Sequence, residues 1–164
     1  ACDVSSEALR EARRRLAHTV EQLGRAAEEV QLSFVEANIL DEPPVRELAA
    51  GGPFASAVDS AAFHCVGGEE DQRRYVQALA ALVRPGGHLI LLASSDLRAE
   101  TVEDPRLRRV SQEELHARFC AASGWKVEEL REARYCCVGP STEGRAPQRL
   151  GFPAWLMVAR RLES

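Results

Sequence analysis

Lysine is almost missing from this sequence: Lys126 is the only one, and the other basic side chains are arginines. The 21 basic residues are outnumbered by 25 acidic ones, for a formal net charge of −4. A nucleic-acid backbone is therefore not an expected partner, because domains that bind one carry a basic stripe. Arginine in place of lysine is read as codon usage and not as a phosphate-binding surface. No apolar run reaches the ~18 residues of a membrane-crossing helix, and no membrane partner is expected. Paired cysteine spacing is absent too. Cys2, Cys65, Cys120, Cys136 and Cys137 form no Cys-x-x-Cys pair. Adjacent Cys136 and Cys137 would make a strained disulfide, and two neighbours alone cannot cage a metal. Free thiols in a reducing compartment are expected, with the cytoplasm as location.

What remains is an ordinary globular composition, 45% apolar and 28% charged over 164 residues. That length buries a core and is expected to form a single domain, 1–164. Ala1 to Val4 have the character of a strand end, and Ser5 and Ser6 that of a helix start. Leu9, Ala12, Leu16, Val20, Leu23 and Ala27 then recur at three- and four-residue steps, lining one helix face. Arg13, Arg14 and Arg15 lie mostly off it, as a solvated surface. Leu32, Phe34 and Val35 predict a short strand, and Pro43 and Pro44 open a short helix through Leu48. The segment Phe54–Asp59 is expected as a buried strand, followed by a helix over 70–83.

Arg84-Pro-Gly-Gly87 then stops that helix and allows a tight turn. His88 to Ala93 is nearly all apolar, which suits a parallel strand covered on both faces. Ser111, with Glu114 three residues on, predicts a capped helix that Gly124 ends. Trp125 and Val127 open a strand. A Gly/Pro/Ser-rich loop leads to the last strand, PAWLMVARR, Pro153–Arg161. The order β-α-β-α-β-α-β-α-β-β predicts a three-layer α/β sandwich, Rossmann-like, with a mostly parallel sheet. The last two strands, with no helix between them, are expected as an antiparallel hairpin with a long loop.

In open α/β sheets, ligands bind beyond the carboxyl ends of the strands. Asp3, Asn38, Asp59, Ser60 and Ser94 to Asp96 follow strands here. Asp3 suits either two ribose hydroxyls or a helix cap. Asn38 suits either an adenine edge or a turn. Asp59 suits either an ammonium group or the backbone amides of its own loop.

The segments ACDVSSEALREA, FVEANILD, FASAVDSAAFHCV and ALVRPGGHLILLASSD together resemble class I S-adenosylmethionine-dependent methyltransferases. The likeness continues through RRVSQEELHARFCAASGWKVEELREARY and FPAWLMVARR. It implies S-adenosylmethionine as cofactor and a small-molecule methyl acceptor as partner. It places Asp3 at the ribose hydroxyls, Val4 against the adenine, and Asn38 with Ile39 at the adenine edge, where the family most often has Asp. It places Asp59, Ser60 and Ala61 under the methionine part, and His64 at the mouth of the acceptor pocket. His64 is the one candidate general base; its alternative is a histidine that packs in the loop or caps a helix.

One family feature is not found. The resemblance implies a first strand ending in an acid-x-Gly-x-Gly turn, central in a sheet of order 3-2-1-4-5-7-6. Gly51–Gly52, Gly67–Gly68 and Gly86–Gly87 all stand elsewhere. The chain is thus expected to begin at the family's second strand, leaving two strand edges unpaired. It is expected to be poorly stable and inactive by itself. Two rivals remain. A nicotinamide-dependent reductase would want Tyr-x-x-x-Lys, but Leu79 stands four after Tyr75 and Gly139 four after Tyr135. A non-catalytic Rossmann-like binding or scaffolding module would need no Gly-rich turn.

Overall fold

A computed structural model of the chain describes residues 1–24, 32–97, 108–138 and 149–163. In chain order the elements are β1 (Cys2–Asp3), α1 (Ser6–Gln22), β2 (Val35–Glu36), α2 (Glu42–Ala50) and β3 (Phe54–Ser60). They continue as α3 (Glu69–Leu82), β4 (Val83–Ser94), α4 (Gln112–Arg118), β5 (Trp125–Val138) and β6 (Arg149–Arg161). Short 3-10 turns stand at Phe63–Cys65 and Ala121–Ser123. The chain forms two compact units, Ala1–Leu48 and Ala49–Ser164.

In the first unit β1 and β2 pair in parallel, Cys2 opposite Val35 and Asp3 opposite Glu36. α1 is capped as its sequence predicts: Ser5 Oγ accepts the Ala8 N–H at 3.1 Å. Leu9 and Val20 are buried on its inner side. The apolar stripe is shorter than its periodicity suggests, because the helix ends at Gln22 and Leu23 is exposed. Ala27 lies outside the described residues. On the outer face Glu11 pairs with Arg14 and Arg15, and their hydrogen bonds pull its carboxyl down to about 2.

The second unit holds a four-stranded sheet of order β3-β4-β6-β5. β3 and β4 run parallel. β6 is antiparallel to both β4 and β5. The sheet is therefore mixed: β3, β4 and β5 run in one direction and only the C-terminal strand β6 runs against them, as the sequence predicts. The side chains explain the placement of β6. Ala154, Trp155, Met157 and Ala159 are buried, so β6 needs a strand on each side. β5 carries Glu128, Glu129, Arg131 and Glu132 and takes the edge, where charges discourage further pairing.

Leu89, Leu91 and Ala93 have no exposed surface, nor do Met157 and Ala159. α3 packs on β3 and β4 and buries Tyr75, Val76, Leu79 and Leu82. An aromatic row runs through this layer: Tyr75 to Phe63 at 5.8 Å, Phe63 to Phe119 at 5.5 Å, and Phe119 to Trp125 at 6.3 Å. Tilted and edge-on contacts of this kind add to simple burial.

The other side of the sheet is more open. Val58 is 73% exposed and its register partner Ile90 39%. Phe54–Asp59 is thus an edge strand and not a buried one, and His88–Ala93 is fully closed on one face only. The physical reason is that β3 has a strand neighbour on one side alone within its sheet.

Gly86 and Gly87 are required in the first part of β4. Gly86 has φ +75°, and a Cβ on Gly87 would stand 2.6 Å from the Ala55 carbonyl oxygen. Ser111 Oγ accepts the Glu114 N–H at 3.1 Å, capping α4 as predicted. The Glu114 carboxylate pairs with Arg108 and does not return to the cap.

Candidate functional site

Asp59 ends β3 and is 4% exposed. Its Oδ1 accepts the Ala62 N–H at 2.7 Å. Its Oδ2 accepts the Phe63 N–H at 3.1 Å and the Tyr75 hydroxyl at 2.8 Å. Burial pushes its pKa up, and these hydrogen bonds to the charged form work against that rise. The carboxylate is spent on its own loop, the second of the two roles its sequence position allows.

Between Asp59 and Ala62 the chain makes an unusual turn. Ala61 has φ +72°, the one non-glycine residue in the left-handed region among the described residues. Its N–H donates to the Leu92 carbonyl at 2.9 Å. A side chain with a Cβ pays to adopt this conformation, and such strain collects at functional sites. Ser60 beside it is exposed.

His64 follows in the 3-10 turn and is 4% exposed. Its Nδ1 accepts the Ser94 N–H at 3.1 Å, so the ring proton sits on Nε2. Burial lowers its pKa; the Asp59 charge opposes that and the Arg108 charge reinforces it. In this tautomer the ring has no lone pair to offer a substrate. The packing role, the alternative open at the sequence level, is the one the geometry supports.

Arg108 closes the same corner. Its guanidinium carbon lies 5.4 Å from the Phe63 ring centroid, within cation–π range. One arm pairs with Glu114. Among the described residues Ser95 Oγ and Arg108 Nε are buried with no hydrogen-bond partner. Trp155 Nε1 donates to the Val110 carbonyl at 3.0 Å. Tyr75 and Arg108 were not found by sequence reasoning. Tyr75 fits an inward helix position, and Arg108 stands in a polar connector with no periodicity to mark it.

In the first unit the parallel pair β1–β2 sets two strand ends side by side. The Ala37 N–H donates to the Asp3 carbonyl at 3.0 Å. Asp3 is exposed; its Oδ1 accepts the Ser5 N–H at 2.8 Å, and among the described residues no donor reaches Oδ2. Val4 is 65% exposed, an apolar surface beside that carboxylate. Asn38 makes a turn: its Oδ1 accepts the Leu40 N–H at 3.0 Å and its Nδ2 donates to Asp41 at 3.3 Å. Ile39 is half-buried. The structure thus gathers Asp3, Val4, Asn38 and Ile39 in one unit, and Asp59, Ser60, Ala61 and His64 in the other.

A cleft of about 760 Å³ lies elsewhere in the second unit, lined by Val76, Ala80, Cys120, Gly124 and Arg161 among others. Arg161 there donates to the Ala80 and Gly124 carbonyls, so the cleft contains a packed helix end. Among the described residues no cluster of side chains could hold a metal ion, and no helix is long and apolar enough to cross a membrane.

Solved structures match this arrangement over nearly its whole length. One, concerned with conversion of a disulfide bond into a thioacetal group during echinomycin biosynthesis, is 25% identical with a TM-score of 0.67. It covers 98% of this chain and 66% of its own. A SAM-dependent methyltransferase from Methanosarcina mazei is 15% identical with a TM-score of 0.60, over 99% of this chain and 81% of its own. The fold is that of a class I S-adenosylmethionine-dependent methyltransferase. A third member of this set is the Burkholderia thailandensis 1,6-didemethyltoxoflavin-N1-methyltransferase, which holds its substrate and S-adenosylhomocysteine. It is 15% identical with a TM-score of 0.55, over 90% of this chain and 56% of its own. This chain therefore spans about two thirds or less of the length of the first and third. No family model and no curated protein matches the sequence. The observed orders β1-β2 and β3-β4-β6-β5 agree with the runs 3-2 and 4-5-7-6 within the strand order that the resemblance implies.

Proposed function

We propose that this chain serves S-adenosylmethionine-dependent methyl transfer to a small-molecule acceptor. The observation that carries the proposal is the exposed Asp3 carboxylate at the end of β1, flanked by exposed Val4 and by the turn at Asn38, in a chain of methyltransferase fold. When bound, S-adenosylmethionine supplies the sulfonium methyl that an acceptor displaces in line. Asp3 Oδ2 accepts from ribose hydroxyls, and Val4 gives the adenine an apolar wall. Asn38 and Ile39 border the adenine edge through a turn whose amide oxygen is already partly engaged, so recognition there is weak. Ser60 and Ala61 would border the methionine part, on a loop whose amides Asp59 holds. His64 holds that loop to β4, so the acceptor would react in a form already ionised by proton loss to solvent.

The acceptor class we propose is a small molecule with a soft nucleophile such as a thiol. The solved structure concerned with a disulfide-to-thioacetal conversion supports this, being 25% identical across 98% of the chain. A thiolate needs no general base near neutral pH as much as an alcohol does. Nucleic acid and membranes are not proposed as partners of an acidic chain, and the cytoplasm remains the proposed location.

The sequence holds no acid-x-Gly-x-Gly turn, so the methionine part of the cofactor lacks its close backbone approach. The chain alone is therefore proposed to bind weakly and to be inactive. Calorimetric titration with S-adenosylhomocysteine tests this, on the chain and on a fusion that supplies a strand with such a turn. The fusion is expected to bind, and Asp3→Ala to weaken binding about tenfold, the scale of a charge-assisted hydrogen bond. No binding by the fusion, or no effect of Asp3→Ala, rejects the proposal. The second reading is a non-catalytic Rossmann-like scaffolding module. The observation that favours it is that Asn38 and Asp59 both spend polar atoms inside the fold.

A further inference from the structure

We propose that Tyr75 is a positioning residue for the turn Ala61–His64, acting through Asp59. The proposal rests on the methyltransferase reading for its purpose but not for its geometry. Tyr75 stands on α3, 16 residues along the chain from Asp59, and its hydroxyl donates to Oδ2 at 2.8 Å. The remaining acceptor positions of the carboxylate take the Ala62 and Phe63 N–H groups at 2.7 and 3.1 Å. Those two amides lie immediately after Ala61, whose left-handed backbone is unfavourable for alanine and persists only where surroundings over-determine it. Tyr75 also packs against Phe63, with ring centroids 5.8 Å apart, so helix and turn are tied by a polar and an apolar contact at once. His64 extends the chain of restraint to β4 through Ser94.

The arrangement has a direction. Oδ2 is shared between the hydroxyl and the Phe63 amide, so the hydroxyl orients the carboxylate plane, and that plane sets where two backbone amides point. Ser60, the last residue of β3, is exposed just before the turn. A pre-set turn beneath a ligand avoids ordering costs on binding. Tyr75→Phe keeps the ring contact with Phe63 and removes the hydrogen bond to Asp59.

Tyr75→Phe in the 164-residue chain tests this by amide hydrogen exchange and by the nitrogen resonances of the His64 ring. The expected result is exchange about tenfold faster at Ala62 and Phe63, the scale of one lost hydrogen bond to a charged group, with Leu89 and Leu91 unchanged. The His64 ring should also move from a single Nε2–H form toward a tautomer mixture. Equal acceleration at all slow amides, or no change at Ala62 and Phe63, overturns the proposal. Titration of the Gly-rich fusion with S-adenosylhomocysteine separates the two ideas. Failure to bind with the clamp signature present counts against the proposed function and leaves the positioning role of Tyr75 standing.

Discussion

At the scale of single residues, two positions concentrate backbone and electrostatic demands. Gly124 has φ +80°, and a Cβ there would stand 2.2 Å from Arg161 Nη1. Gly124→Ala is expected to cost about 2 kcal/mol or more, read as a lowered thermal midpoint. His64 makes stability depend on pH in a definite sense. Its folded pKa lies below the ordinary 6.5, chiefly through burial. The unfolded chain therefore takes up a proton first as pH falls, and stability present above about 6.5 declines through the window beneath it. Asp59 works in the opposite sense: its folded pKa is raised above 3.8, so its contribution declines as pH rises from that value through the folded pKa. Replacement His64→Gln should flatten the decline between pH 7 and 5 in urea titrations; an unchanged slope would place the dependence on another group. The residue types at these positions are legible in the sequence, and so is the pair of roles open to Asp59 and to His64. The partners are not, because Tyr75 and Ser94 come from elements distant in the chain.

At the scale of elements, the short-range signals were read well. Ser5 and Ser111 cap the helices they precede, whereas Gly86 and Gly87 lie inside β4, at the register irregularity opposite Phe54–Ser56, and not in a separate turn. The caps depend on neighbours within a few residues. β3 was misjudged because FASAV has the composition of an interior strand, and composition does not say how many strands flank it. Its exposed Phe54 and Val58, with Ile90 alongside, form an apolar edge of the kind that invites self-association. Val58→Lys is expected to reduce concentration-dependent light scattering by the chain while changing unfolding free energy by about 0.5 kcal/mol or less. Scattering that persists unchanged would locate the sticky surface elsewhere.

At the scale of the molecule, the two units differ in what they bury. Among the described residues between 1 and 48 the buried apolar side chains are Leu9, Val20 and Ala37; the second unit buries the aromatic row together with Leu89, Leu91 and Ala93 of β4 and Ala154, Trp155, Met157 and Ala159 of β6. A unit of fewer than about 60 residues with so small a core is marginal. Hydrogen exchange is therefore expected to be faster throughout α1 than in β4, by orders of magnitude and not by a small factor. Equal protection in α1 and β4 would show that the first unit draws stability from more than its own core. The same asymmetry bears on function, since Asp3 and Val4, the proposed cofactor contacts with the most open surface, stand on the less protected unit.

The amino-acid sequence by itself determined the succession of strands and helices, the caps between them, the acids at strand ends, and the absence of an acid-x-Gly-x-Gly turn from these residues. Periodicity, capping chemistry and glycine conformations act over a few residues, so they are written locally. The family resemblance implied that β6 inserts antiparallel between β4 and β5 and that β3 has an open edge; only the tertiary structure decided that Phe54, Val58 and Ile90 stay exposed. Strand neighbours are chosen by pairing across long separations, which no local pattern encodes. Tertiary structure also decided which polar groups remain available. Asp59 and His64 look like chemistry in sequence, but burial beneath Tyr75 and beside Ser94 commits them to the loop, whereas Asp3 keeps an oxygen exposed.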